Sequence, residues 1–209
     1  FRILQNTCNW KDIPKIAEML DHHIGDGTEH PFLNISRYDD EESNYKVALA
    51  WNSNLPKIAN KVSSPNEKIR LGYLCGEFRN HPTNHLIKNL LRFHDTSKFE
   101  IYIFSYNHDE ASRVSIENEV TEFVSLNDMD NINASKSIAD HNLDILIDLT
   151  IIISNNRQDI IRDRPAKTII SYLGYPGTSA SNIYDYIITD EIVTPIVQQK
   201  YYTEKFLYL

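Results

Sequence analysis

A chain of 209 residues, 41% hydrophobic and 24% charged, has room for one sizeable core with a small helical appendage, and its composition lies outside the disordered and membrane classes. Its 29 acidic and 21 basic residues give a net charge of −8 and are scattered along the chain, so no broad cationic surface is implied and nucleic acid is not an expected partner. No apolar run approaches the roughly 20 residues that span a bilayer, and Cys8 and Cys75 stand far apart without a CxxC partner, so neither a membrane segment nor a thiolate zinc site is expected and a reducing cytoplasm fits. A chain that opens on Phe1, without an initiator Met or a charged-then-apolar leader, reads as a fragment of a longer protein.

Residues 1–66 read as helical. Between residues 10 and 24 apolar side chains fall at Ile13, Ile16, Ala17, Leu20 and Ile24, the three-and-four spacing of an amphipathic helix, and Gly25, Gly27 and Pro31 then break the pattern. Asp39 and Asp40 can cap a second helix whose buried stripe would comprise Tyr45, Ala48, Trp51, Leu55 and Ile58. A metal cluster drawn from His22, His23, Glu29 and His30 matches no ligand spacing, because adjacent helical histidines point about 100° apart, so no metal site is expected there.

From residue 67 the period changes. Short apolar runs at 69–74, 99–106, 143–149, 168–173 and 184–189 alternate with helical stretches at 82–94, 111–120 and 131–141, the sequence form of a parallel sheet wrapped by helices. The expected fold is therefore α/β, a Rossmann-like parallel sheet over 67–209 behind a small helical segment.

Ligands of open parallel sheets bind beyond the C-terminal strand ends, which selects three loops: 75–85, 150–157 and 174–179. His81, followed by a Pro82 suited to a first helical position, is the acid/base candidate of the first loop, with a capping hydrogen-bonder as the alternative. His85, one turn later, reads as a positioning residue. In Gly174-Tyr-Pro-Gly-Thr-Ser179 the glycines permit close backbone approach and positive φ, so the turn can cradle a sugar or phosphate or simply connect a strand to a helix. It has neither the Gly-x-Gly-x-x-Gly of a dinucleotide site nor the Gly-Lys-Ser/Thr of a P-loop, and no NAD or ATP is expected. Asp148, at the end of a strand, either touches the crevice or caps the following loop.

Taken in order, Arg70-Leu-Gly-Tyr-Leu-Cys-Gly-Glu-Phe-Arg-Asn-His-Pro82, Phe93-His-Asp-Thr-Ser-Lys-Phe-Glu100, Arg164-Pro-Ala166, Tyr172-Leu-Gly-Tyr-Pro-Gly-Thr-Ser179, Asp185-Tyr-Ile-Ile-Thr-Asp190 and Glu204-Lys205 resemble the catalytic region of the O-GlcNAc transferase/SPINDLY family, and Cys8-Asn-Trp10 resembles the opening of that family's segment between its tetratricopeptide repeats and catalytic lobes. The resemblance implies the N-terminal lobe of a GT-B protein O-glycosyltransferase, which moves a sugar from a nucleotide sugar to Ser or Thr of a protein acceptor without metal or other cofactor. It further implies His81 as the active-site histidine, and Leu173, Gly174 and Pro176, with Tyr175, Gly177, Thr178 and His85 beside them, as substrate-binding residues. UDP-GlcNAc is the implied donor; GDP-fucose, or a non-catalytic peptide-binding scaffold, are the alternatives. The implied partners are N-terminal tetratricopeptide repeats and a C-terminal lobe, and an isolated first lobe is expected to be inactive. Two departures stand out. Ile151-Ile152-Ile153 occupies the place of the family's usual Gly-Tyr-Thr, where isoleucine is not expected to take a glycine conformation, and Ser125 stands where relatives often have aspartate.

Overall fold

The computed structural model describes residues 1–52, 65–153 and 156–209. The helical part comprises α1 (Arg2–Asn6), α2 (Ile13–Asp21), α3 (Pro31–Ile35) and α4 (Glu41–Trp51). Helix α2 turns the expected face, Ile13, Ile16, Ala17 and Leu20, half inward. The guanidinium of Arg37 holds this part together: it donates bidentately to the buried carboxylate of Glu29, at 3.0 and 2.7 Å, and to Asp21 at 2.6 Å. That pairing takes Glu29 out of any metal cluster, while His23 bonds Asp26 at 2.7 Å and His30 caps α3.

Helix α4 starts where Asp40 accepts from the N–H of Ser43 at 3.2 Å, but its buried face differs from the expected one. Asn44, Val47 and Ala48 point inward, Tyr45 is half-buried and Trp51 is exposed; Leu55 and Ile58 lie outside the described residues. The face is rotated by one residue because the Asn44 carbonyl accepts from the buried Asn34 amide at 2.7 Å, a contact that apolar periodicity does not encode.

The sheet is built from β1 (Ile69–Cys75), β2 (Phe99–Ser105), β3 (Glu122–Ser125), β4 (Ile145–Asp148), β5 (Thr168–Ser171), β6 (Tyr186–Thr189) and β7 (Lys205–Tyr208), with α5 (Pro82–Leu91), α6 (Glu110–Glu117) and α7 (Asn131–Asp140) between the early strands. All pairings are parallel, in the order β3-β2-β1-β4-β5-β6-β7. The direction of winding reverses between β1 and β4, which makes the crevice above that pair the expected ligand position. Side chains alternate strictly: Leu74, Phe104, Leu146 and Ile169 pack on one face, and Tyr73, Ile103, Ile147 and Ile170 on the other. Burial on both faces explains why these strands read as continuous apolar runs.

The connection into β5 and β6 depends on Arg164, whose side chain is 2% exposed. It donates to the carbonyls of Ile183 and Asn182 and pairs with the carboxylate of Asp185 at 2.6 Å, which also accepts from the N–H of Ile169 at 2.9 Å. The Arg-Pro-Ala and Asp-Tyr-Ile-Ile segments noted in the sequence are thus two halves of one buried pair. Replacing Asp185 by alanine leaves the guanidinium without its counter-charge and is expected to cost about 3 kcal/mol or more in urea unfolding, whereas an Arg164→Met/Asp185→Leu double replacement costs far less.

Candidate active site

Strand β1 runs directly into Gly76, whose N–H donates to the hydroxyl of Thr150 at 3.2 Å; a side chain at Gly76 would enter the ring of Tyr106. The ends of β1, β2 and β4 are joined there. Glu77, 7% exposed, then pairs with Arg79 at 2.8 Å. His81 takes an extended conformation and caps α5: its Nδ1 accepts from the N–H of Thr83 at 3.3 Å, with Pro82 at the first helical position. The cap leaves Nε2 as the free ring nitrogen, and the neutral ring then carries its proton on Nε2. His85 is exposed and bonds Asn80 at 3.1 Å.

After β4 the carboxylate of Asp148 shapes the chain. Its Oδ1 accepts from the N–H groups of Thr150 and Ile151, at 2.8 and 3.3 Å, and its Oδ2 from the hydroxyl of Tyr184 at 2.6 Å. It caps the loop and does not reach the crevice. Complete burial outweighs the three donors and raises its pKa above the usual carboxylate value. Held by these bonds, Ile151 adopts φ 51°, contrary to the expectation that isoleucine would avoid a glycine conformation. Its side chain and that of Ile152 are buried in the core, and only Ile153 reaches outward.

The 174–179 turn departs from its expected use. Neither Gly174 nor Gly177 has positive φ; that conformation falls on Leu173 (73°) and Ala180 (49°). A Cβ at Gly174 would collide with the carbonyl oxygen of Leu149 and lie 3.0 Å from that of Thr150, and one at Gly177 would lie 2.8 Å from the Tyr175 hydroxyl and 2.9 Å from Ile35. Their smallness serves the packing of this turn on the β4 loop and on α3. Tyr175 is buried, and Thr178 donates to the buried carboxylate of Glu204 at 2.7 Å, so both are committed to the interior; Leu173 and Pro176 are exposed.

The three loops nevertheless converge. One cleft of about 370 Å³ is lined by Glu77, Arg79, His81 and Thr83 from the first, Ile153 from the second and Gly174 from the third. It is also lined by Arg2, His30 and Phe32, from or next to α1 and α3, which sequence reasoning did not assign to the site. A signal was present: His30-Pro31 repeats His81-Pro82, and the His30 Nδ1 caps its helix by accepting from the N–H of Phe32 at 3.1 Å.

A parallel sheet reversing at β1/β4, with polar loops converging on one cleft at its C-terminal edge, defines a Rossmann-like α/β unit. Residues 45–209 match the sequence profile described as Glycosyl transferase family 41, and the chain belongs to that family. It is 36% identical over 169 residues to a Caenorhabditis elegans UDP-N-acetylglucosamine–peptide N-acetylglucosaminyltransferase, an alignment covering 78% of this chain and 15% of that protein. It is 32% identical over 145 residues to the Arabidopsis thaliana protein SEC, described as a probable enzyme of the same kind, covering 68% and 15%. The chain therefore spans a small part of the length of these relatives. Its fold matches a mutant O-GlcNAc transferase of Thermobaculum terrenum with a TM-score of 0.74 at 23% identity, over 81% of this chain and 34% of that one.

Two outcomes follow from the packing of these loops. Gly174→Ala is expected to lower the melting temperature, at a cost of about 1–3 kcal/mol, because its Cβ meets a backbone carbonyl that cannot swing away. Asp148 binds its proton more tightly in the folded than in the unfolded chain, so its contribution to stability is fully present below the unfolded carboxylate pKa of about 4 and declines as pH rises through its folded value. Asp148→Asn, which keeps an acceptor for the Thr150 and Ile151 N–H groups, should flatten that decline; parallel pH–melting curves for the two proteins would contradict this account.

Proposed function

We propose that this chain forms the first Rossmann-like lobe in the catalytic region of a protein O-glycosyltransferase that transfers N-acetylglucosamine from UDP-N-acetylglucosamine to Ser or Thr hydroxyls of proteins. The observation that carries the reading is the convergence of all three strand-end loops on one cleft with His81 at its edge, in a chain of glycosyl transferase family 41. In the reaction the acceptor oxygen bonds to the anomeric carbon, the bond from that carbon to the nucleoside diphosphate oxygen breaks, and the hydroxyl proton passes to the departing diphosphate or to solvent. No metal or other cofactor takes part in this reading. A second lobe supplies most of the charge that stabilises the departing diphosphate, tetratricopeptide repeats present the acceptor, and the protein works in the cytoplasm.

Within the cleft His81 is the residue that touches substrate. With Nδ1 occupied by the Thr83 N–H, its Nε2–H serves as a hydrogen-bond donor to a sugar, acceptor or phosphate oxygen, and it becomes a base only on giving up the cap. Leu173, Gly174 and Pro176 lie against the donor sugar, while Tyr175, Gly177 and Thr178 shape that turn from within and His85 orients Asn80. The Ile151-Ile152-Ile153 run does not argue for a scaffold, since its first two members fill the core. The relatives' described donor favours UDP-N-acetylglucosamine over GDP-fucose.

The test separates cap from chemistry. In the intact protein, His81→Ala is expected to reduce transfer from UDP-N-acetylglucosamine roughly 10- to 1,000-fold and to destabilise the fold by about 1 kcal/mol. His81→Asn retains a capping side chain, so it should hold the wild-type melting temperature and still lose transfer. Wild-type rates in a folded His81→Asn protein would overturn the role given to the imidazole.

A further inference from the structure

Part of the cleft wall comes from the helical segment, and its chemistry is one-sided. His30 is placed by the same local grammar as His81: an extended residue ahead of proline, Nδ1 turned back to the N–H two residues on, at 3.1 Å. Its ring edge rests on Trp51, with centroids 4.8 Å apart, which fixes the plane of the imidazole. With Nδ1 accepting, Nε2 carries the proton, and it has no hydrogen-bond partner among the described residues. Arg2 lines the same cleft and makes no ion pair among the described residues, whereas Arg79 is neutralised by Glu77. The exposed ring of Phe32 lines the same cleft. Every free polar group on this wall is a donor, and an oxygen acceptor is what would satisfy them.

We propose that His30 and Arg2 form the acceptor-binding wall of the cleft, holding the acceptor polypeptide by its carbonyl and carboxylate oxygens while His81 addresses the reacting centre. The inference rests on the transferase reading of the cleft. A polypeptide suits this lining because its backbone offers a carbonyl acceptor at every residue and its side chains can cover the apolar ring of Phe32 beside the donors. His30 remains neutral at physiological pH, since burial first and the charge of Arg2 second lower its pKa, so it binds as an N–H donor and Arg2 supplies the charge.

The experiment uses the intact protein and fluorescent Ser-containing peptides that carry Glu, Gln or Lys beside the serine, with binding read by anisotropy and transfer read separately. Wild type is expected to bind the Glu peptide about three- to ten-fold more tightly than the Lys peptide, a preference that shrinks at about 0.5 M salt. Arg2→Glu should reverse that order. His30→Asn, which keeps a capping side chain, should weaken all three peptides by about three- to ten-fold, with the loss in acceptor KM and not in donor KM. Unaltered peptide order in Arg2→Glu, or a His30→Asn effect confined to the donor, overturns the proposal, as does absence of binding by every peptide. Charge-ordered binding without transfer to any peptide supports the wall and sinks the transferase reading instead.

Discussion

The hydrogen bonds around one buried carboxylate set the geometry on which the cleft depends. Asp148 stands at the end of β4, where the winding of the sheet reverses, and spends its oxygens on the next loop and on Tyr184. The loop it folds back presents the Thr150 hydroxyl to Gly76 and the Leu149 and Thr150 carbonyls to Gly174. Three strand ends are thereby brought together, and at Gly174 the approaching backbone carbonyls leave no room for a side chain. A carboxylate in this position costs desolvation, and its return is a fixed backbone at the point where a ligand would lie.

That fixed backbone also explains the isoleucine run. A glycine at this position would make a left-handed backbone easy; here that conformation is held at Ile151 by the Asp148 acceptor and the burial of the side chain. The substitution changes the floor of the cleft less than its volume implies. Ile151 and Ile152 add to the core beneath the loop, and Ile153 alone changes the surface a substrate meets.

The helical segment is joined to the sheet by specific contacts. Asn52 donates to the carbonyl of Ser179 at 2.6 Å, and Ile35 packs where a side chain at Gly177 would otherwise sit. Those contacts carry α1 and α3 to the mouth of the cleft. The cleft is therefore lined in part by residues that precede the sheet in sequence, and the buried polar residues Thr178 and Glu204 belong to the support of that junction.

Local sequence was sufficient for much of this. Doubly buried strands must be continuous apolar runs, so five of the seven strands were legible, as were α5, α6 and α7 from the helical stretches between them. Strand β3 has only four residues, all half-buried or exposed, and β7 is an edge strand with a largely exposed pattern; both exist because a neighbour offers its free backbone edge. The His81-Pro82 cap could be read from adjacent residues, because capping is a local interaction. Its repetition at His30-Pro31 could be read too, but not that both histidines line one cleft, since that depends on how α3 docks against a loop more than 100 residues later. The same limit applies to the 174–179 turn. Its glycines announce a close approach, and only the tertiary structure decides that the approaching atoms are Leu149, Tyr175 and Ile35, because excluded volume between distant segments leaves no local periodicity in a sequence.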